Sequence, residues 1–349
     1  MLTATRDTAV VILSYNGRQW HEKFLPGILA EAGSDYEVIV VDNASTDDTP
    51  QYLATHFPQV QTLTIAVNRG FAAGYAEGLR QISADYYVLL SADFEVTPGW
   101  FPPLRAAFER YPQLGAVQPK IRYWRERTQF EYAGAAGGFM DALGYLFCRG
   151  RMFDTLETDA GQYDDDVEVF WASGGCLMVR TDAYHAAGGL DDALYAHMEE
   201  VDLCWRLQRM GYRIGAIGSS TVFHVGGSVI SYGSPQKLYY NFRNNLLLLL
   251  KNERRSKLLW LLPTRLVLDG VAGVKYLLGG HFKEVGVILR AHMGFYGMAR
   301  ATWKKRMLFE AGLSREVLPA GRYTGAVIWQ YFIKRIQTFS ALPFRSRPL

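Results

Sequence analysis

Cysteine is scarce in this chain: Cys148, Cys176 and Cys204 are odd in number, far apart and without a C-x-x-C pair. That excludes a disulfide framework and a cysteine zinc site, and it suits a reducing compartment. Past Leu250 the apolar helical runs are broken by Arg265, Asp269 and Lys275. No stretch of about 20 uncharged apolar residues forms there, so lying in a membrane interface is expected rather than crossing it. The N-terminus passes directly into Ala9-Val10-Val11-Ile12-Leu13 without a long apolar leader or cleavage site, so the site is expected to face the cytoplasm. After that first apolar run comes Ser14-Tyr15-Asn16-Gly17. It lacks the G-x-G-x-x-G that lets a backbone approach a dinucleotide pyrophosphate, which argues against NAD or FAD, and it supplies no basic, glycine-rich loop for nucleotidyl transfer. Internal repeats and low-complexity tracts are absent.

What is present is 349 residues, 49% of them apolar, enough for a large core and too many for one domain of typical size. The net charge of +3 hides an asymmetry. Residues 1–250 carry 19 Lys+Arg against 29 Asp+Glu, whereas residues 251–349 carry 18 against 5. Residues 1–250 are therefore expected to form a catalytic domain. Residues 251–349 are expected to form a basic, amphipathic helical region. Bulky apolar residues interleaved with its cations favour an anionic membrane surface over nucleic acid, with a surface joining two copies of the chain as the other reading.

Short apolar runs alternate with helical patterns: strands at about 8–14, 36–42, 61–66 and 86–90, and helices at 18–32, 46–56 and 71–83. Ser45 or Thr46 is the expected cap of the second helix. This is an α/β pattern with a mostly parallel sheet covered on both faces, in which ligands bind at the carboxyl ends of the strands. The glycine-rich stretch 122–168 reads as a long mobile loop with short strands. Strands are expected at 169–172 and 176–179, and a helix at 199–210.

Five constellations carry candidate chemistry. Asp42, just past a buried strand, can hold a ligand hydroxyl or ring N–H, or serve as a turn residue. Asp93 ends the strongest strand with Glu95 two positions on, where a carboxylate can hold Mg²⁺ or Mn²⁺. In His197-Met198-Glu199-Glu200-Val201-Asp202, acids crowd a helix start. Glu200 shares the stripe of Leu203, Cys204 and Leu207, while Glu199 shares that of Asp202 and Arg206, so Glu200 is expected to point inward. His224, in Phe223-His224-Val225-Gly226-Gly227-Ser228, is a candidate metal ligand with Asp93. Asn68-Arg69-Gly70-Phe71-Ala72-Ala73-Gly74 opens a helix with glycines where the backbone approaches something closely, and a helix start suits phosphate.

In this order, these segments resemble the family 2 glycosyltransferases of the GT-A fold, a Rossmann-like mixed architecture, and in particular their rhamnosyltransferase-like branch in bacterial surface polysaccharide synthesis. The resemblance covers roughly residues 7–250. Its markers are Val41 to Asp47, Asn68 to Gly74, Leu89 to Trp100, Trp171 to Cys176, Glu199 to Arg206, and His224. It implies a nucleoside-diphosphate sugar donor, by branch dTDP-rhamnose, with Ser14, Asp42, Asn68, Gly70, Ala92 and Asp93 about the nucleotide. It implies a divalent cation, Mg²⁺ or Mn²⁺, on Asp93 and His224, and Glu200 as the base of an inverting transfer. Trp171, Gly174, Gly175 and Glu199 would border the sugar and a glycan or lipid-linked acceptor, placing the chain at the inner face of the plasma membrane. Two departures stand out: Ser91 replaces the first Asp of the family's D-x-D element, and Glu199-Glu200 stands where Glu-Asp is common. Loss of that Asp keeps a non-catalytic nucleotide-sugar or glycan-binding protein in view.

Overall fold

Buried apolar runs dictate the first half of the architecture. In the computed structural model, which describes residues 2–131, 134–226, 234–315 and 317–349, the strand Thr8–Ser14 is shielded on both faces. It runs parallel to Glu37–Asp42 on one side and Tyr86–Ser91 on the other, and Gln61–Thr64 extends the sheet beyond Glu37–Asp42. Helices α1 (Arg18–Ala32), α2 (Thr49–His56) and α3 (Phe71–Leu79) make the crossovers. The chain thus builds outward in one direction and then returns to the far side of its first strand. That reversal opens a crevice at the carboxyl ends of Thr8–Ser14 and Tyr86–Ser91, where sheets of this kind bind ligands.

Beyond Tyr86–Ser91 the sheet is mixed. Cys176–Arg180 lies antiparallel between Tyr86–Ser91 and Leu114–Tyr123, and Arg213–His224 runs parallel to the latter. Cys176–Arg180 interrupts the parallel order expected from the sequence, which resumes between Leu114–Tyr123 and Arg213–His224. The intervening excursion delivers the next sheet strand, flanked by α4 (Phe101–Arg110) and α5 (Thr181–Ala186), from the opposite end.

That excursion is not a mobile loop. Gly138–Met140, Leu146–Cys148, Arg151–Met152 and Thr155–Leu156 form an antiparallel four-stranded sheet, with Phe139, Met140, Phe147 and Met152 buried. Strands of two or three residues are too short to show a period. Val169–Ala172, expected as a strand, contributes a single bridge from Trp171 to Gly138.

Helices α6 (Glu199–Arg209), α7 (Pro235–Asn252), α8 (Arg255–Leu278) and α9 (Phe282–Ala311) follow, and α7 packs against both α8 and α9. A boundary at Leu250 falls inside α7. The final residues return to the main body: Phe339 and Phe344 pack on Phe139 and Phe147, and Arg347–Pro348 pairs with Val167–Glu168. Among the described residues, no helix is long and apolar enough to cross a membrane.

Candidate active site

The crevice at the strand ends opens into a cavity of about 410 Å³. Ser14, Ala92, Asp93, Gly174, Gly175, Glu199, Glu200 and His224 all line it, although up to 210 positions separate them in the chain. Asp42, Asn68 and Gly70 do not. Asn68 and Gly70 are tied together by Asn43, the neighbour of Asp42, whose side-chain amide donates to Asn68 Oδ1 (3.1 Å) and to the Gly70 carbonyl (3.2 Å). Asp42 is buried, accepts weakly from the Ser45 N–H at 3.3 Å, and leaves Oδ1 without a partner among the described residues. Gly70 adopts φ +92°, and a Cβ there would strike the Tyr195 ring. The close approach inferred at this glycine is thus made by the chain itself. Ser45 caps no helix: its Oγ accepts from the Asn16 N–H, and Asp48 precedes α2.

Asp93 stands in the turn between Tyr86–Ser91 and the short strand Phe94–Val96. That turn breaks the expected alignment with Glu95, which instead accepts from Trp124 Nε1 (2.7 Å) and pairs with Arg127. Asp93 faces His224, the last residue of Arg213–His224, with Oδ2 3.1 Å from Nε2. Glu131 Oε1 lies 3.2 Å from the other ring nitrogen, and Phe94 stacks on the ring at 4.3 Å between centroids. Burial pulls the imidazole towards neutrality, but the carboxylates of Asp93 and Glu131 outweigh it and raise its pKa to about 10. Glu131 carried no sequence signal, lying in a stretch read as loop. Gly227 and Ser228 of the His224 segment lie outside the described residues.

Glu199 and Glu200 open α6. The helical-face argument does not separate them, because α6 is buried on every side from Val201 to Arg209. What separates them is depth. Glu199 is buried, whereas Glu200 is half-buried and sits against Gly174. Each has an Oε2 without a partner among the described residues. Burial pushes the Glu200 carboxyl up to about 7. Burial, reinforced by the charge of Glu200, raises Glu199 as well. The backbone entering α6 is strained, with positive φ at Tyr195, His197 and Met198, a cost usually met at functional sites when surrounding groups enforce it. Here the enforcing group is Asn244 of α7, whose buried side-chain amide donates to the carbonyls of Leu194, Ala196 and His197 at 3.0, 2.9 and 2.7 Å.

Trp171 lines a second cavity, of about 400 Å³, between the small sheet and helices α6, α7 and α8. His197, Glu200 and Lys237 line both cavities. Sequence reasoning passed over His197 and Lys237, whose significance comes only from this shared wall. Among the described residues, no group of three His, Cys, Asp or Glu is arranged to hold a metal ion unaided.

The model of "Glycosyl transferase family 2" matches residues 9–186, just over half of the chain. A Mycobacterium tuberculosis (strain ATCC 25618 / H37Rv) protein, N-acetylglucosaminyl-diphospho-decaprenol L-rhamnosyltransferase, is 28% identical over 233 residues, covering 62% of this chain and 75% of that one. Among solved structures, Staphylococcus aureus TarS 1-349 superposes with a TM-score of 0.54 at 14% identity, covering 87% of this chain and 90% of the other. Mannosyltransferase PcManGT from Pyrobaculum calidifontis, in complex with GDP-Man and Mn²⁺, gives 0.50 at 16% identity, covering 88% and 86%. These structural likenesses establish the GT-A fold.

Proposed function

Since this chain belongs to glycosyl transferase family 2, we propose that it moves a sugar, with inversion, from a nucleoside-diphosphate sugar to a glycan or lipid-linked acceptor. The observation that carries this reading is the position of Glu200 in the wall common to both cavities. A base that activates an acceptor hydroxyl has to stand between donor and acceptor. The acceptor oxygen forms its bond to the anomeric carbon, its proton passes to Glu200, and the bond to the diphosphate breaks on the opposite face. Similarity to the mycobacterial L-rhamnosyltransferase supports rhamnose as the sugar moved.

A divalent cation, Mg²⁺ or Mn²⁺, would neutralise charge on the departing diphosphate. Asp93 and His224 fit it. Asp93 would offer a carboxylate oxygen and His224 an imidazole nitrogen from neighbouring positions, and a substrate diphosphate would supply the remaining oxygens, as such ions are commonly bound. Glu131 on the far ring nitrogen is the carboxylate partner that orients a ligating imidazole. The unpartnered Asp42 Oδ1 suits a ribose hydroxyl or base N–H, with Asn68 and Gly70 holding that corner in shape. Glu199, kept neutral by burial beside Glu200, leaves the pair with one charge, and that charge belongs to the more accessible Glu200.

Helices α8 and α9 present exposed Leu259, Val267, Val271, Leu278, Leu289 and Met293 beside scattered cations. This face supports peripheral attachment to the anionic, cytoplasmic leaflet of the plasma membrane, where lipid-linked acceptors lie. A surface joining two copies is the alternative for the same face. The reading as a whole is tested with Glu200→Gln, which should bind nucleoside-diphosphate sugar as the wild type does while turnover falls by about 10². Unchanged turnover would remove Glu200 from the mechanism. Ser91 in place of an Asp favours one rival, a binding protein without catalysis. Release or transfer of sugar by the wild type with Mn²⁺ would eliminate it.

A further inference from the structure

The end of α6 remote from Glu200 faces a site of a different kind. Arg209 stands about 14 Å along the helix from Glu200. There an open pocket of about 530 Å³ is lined by Arg209, Arg254, Arg255, Arg306 and Arg315. One carboxylate shares that lining, Glu310, and Arg209, Arg255 and Arg306 divide it between them at 3.0, 2.7 and 2.8 Å. Glu253, the acid just before α8, is turned to Lys257 at 3.1 Å and to Arg322. Arg209 and Arg306 are more than nine-tenths buried, yet Nε and Nη1 of the first and Nε of the second have no partner among the described residues. Buried guanidinium N–H groups without acceptors are costly, and an anion seated in the pocket would remove that cost.

The start of α8 adds to the positive field. This helix begins at Arg255 with no side chain capping it and no acid in its first turn, and Ser256 of that turn lines the pocket. A helix start set among arginines selects phosphate oxygens. The rim, by contrast, is apolar. Arg255 Nη2 lies 3.0 Å from Met307 Sδ, and the same guanidinium stands 5.6 Å from the centre of the Trp303 ring. Met307, Trp303 and Leu259, one turn along α8 from Arg255, are exposed, and Leu259 belongs to the apolar face described above. A free phosphate gains nothing from such a rim, whereas the glycerol and first acyl carbons of a phospholipid do.

We propose that this pocket is a headgroup site for an anionic phospholipid, in which Arg209, Arg255, Arg306 and the first turn of α8 hold phosphate oxygens, and that it prefers a headgroup carrying two phosphates. With five arginines around one carboxylate, a single phosphodiester leaves most of the charge unanswered. The inference rests on the peripheral-attachment reading above and turns a general attraction to charge into one defined point of contact. Its place at the far end of α6 keeps the bound lipid clear of the donor crevice.

The test is co-sedimentation of the full chain with phosphatidylcholine vesicles, alone or carrying cardiolipin or phosphatidylglycerol at equal phosphate. Cardiolipin, with two phosphates in one headgroup, should hold the chain about fivefold or more tightly than phosphatidylglycerol, the gain expected from engaging one further cation. Ser256→Asp puts an acid where the dipole of α8 favours one, so it spares the fold while repelling phosphate. That variant and Arg255→Gln should each bring the two lipids to parity and leave nucleoside-diphosphate affinity at the wild-type value. Lys283→Gln, at the opposite end of α9, changes the net charge equally and should weaken both lipids alike. Parity in the wild type, or loss of the preference in Lys283→Gln as well, overturns the headgroup site and leaves attachment to anionic lipid standing. Inorganic pyrophosphate that binds the wild type in calorimetry without metal, is lost in Ser256→Asp and is accompanied by no lipid preference assigns the pocket to a free anion and overturns the lipid. Binding to neither anionic vesicle defeats the attachment reading and the inference together.

Discussion

Two adjacent carboxyl groups in a place that water barely reaches cannot both be ionised at neutral pH. Glu199 and Glu200 divide the task by depth. Because the Glu200 carboxyl is raised to about 7 by burial, and a base must be deprotonated to work, turnover should fall on the acid side of neutrality. A pH–rate profile should place this limb above the usual carboxylate range, near 7. A limb near 4.5 would show the group to be solvated, contrary to its burial. Glu199→Gln should keep most of the turnover, since a neutral amide replaces a side chain already neutral. The acid limb of Glu200 should stay near 7, because burial rather than Glu199 raises that carboxyl. At Asp93, the isosteric Asp93→Asn removes one of two cation-holding groups. It should raise the Mn²⁺ concentration needed for half-maximal turnover by about tenfold or more, within the range seen when metal-site partners are changed. Titration of activity with Mn²⁺ measures this directly.

At the scale of elements, what fixes the site is a buried polar frame behind α6. Asp202, fully buried, accepts from Arg206, from Lys251 at 2.9 Å and from Asn252 at 2.7 Å, and Lys251 also reaches Asp191 at 2.6 Å. Burial alone would raise both acids, yet these cations hold them below the ordinary carboxylate range. A depressed folded-state pKa gives stability that is present above the unfolded value of about 4 and is lost as pH falls through the folded one. Acid unfolding of the chain should therefore begin below about pH 4 as far as these groups are concerned. Asp202→Asn should cost about 3–5 kcal/mol by urea denaturation, since it leaves buried cations uncompensated, and Lys251→Met added to it should recover part of that loss. Asn244 secures the strained entry to α6 through three carbonyls. Asn244→Ala should lower turnover while leaving donor affinity near the wild-type value, as measured by calorimetry beside steady-state rates. This frame was not legible in the sequence, where Asn244 and Asn252 are two amides in a leucine-rich helix. Their role comes from what α7 lies against.

For the molecule as a whole, the charge difference between residues 1–250 and 251–349 becomes a spatial one only because α8 and α9 keep a row of large apolar side chains exposed. The full chain should float with vesicles containing about 30% anionic lipid and should do so less well with neutral vesicles or at high salt, because each surface cation is worth about 1 kcal/mol near such a surface. Failure to float with either would give this face to a second copy of the chain, which sedimentation would reveal.

The sequence by itself determined the local order: apolar runs such as Ala9 to Leu13 and Tyr86 to Leu90 can only be buried strands, and the helical periods between them force crossovers and a sheet with a ligand crevice at its reversal. It also singled out Asp93, the Glu199-Glu200 pair and His224, because ionisable groups at the ends of apolar strands or at a helix start are unusual on chemical grounds. Only the tertiary structure decided the rest. Where Cys176–Arg180 enters the sheet, that a glycine-rich stretch packs as a second small sheet, and that His197, Glu200 and Lys237 line both cavities all depend on contacts between segments far apart in the chain. Periodicity reports the neighbours of a residue along one element. It carries no record of which distant element will come to lie against it.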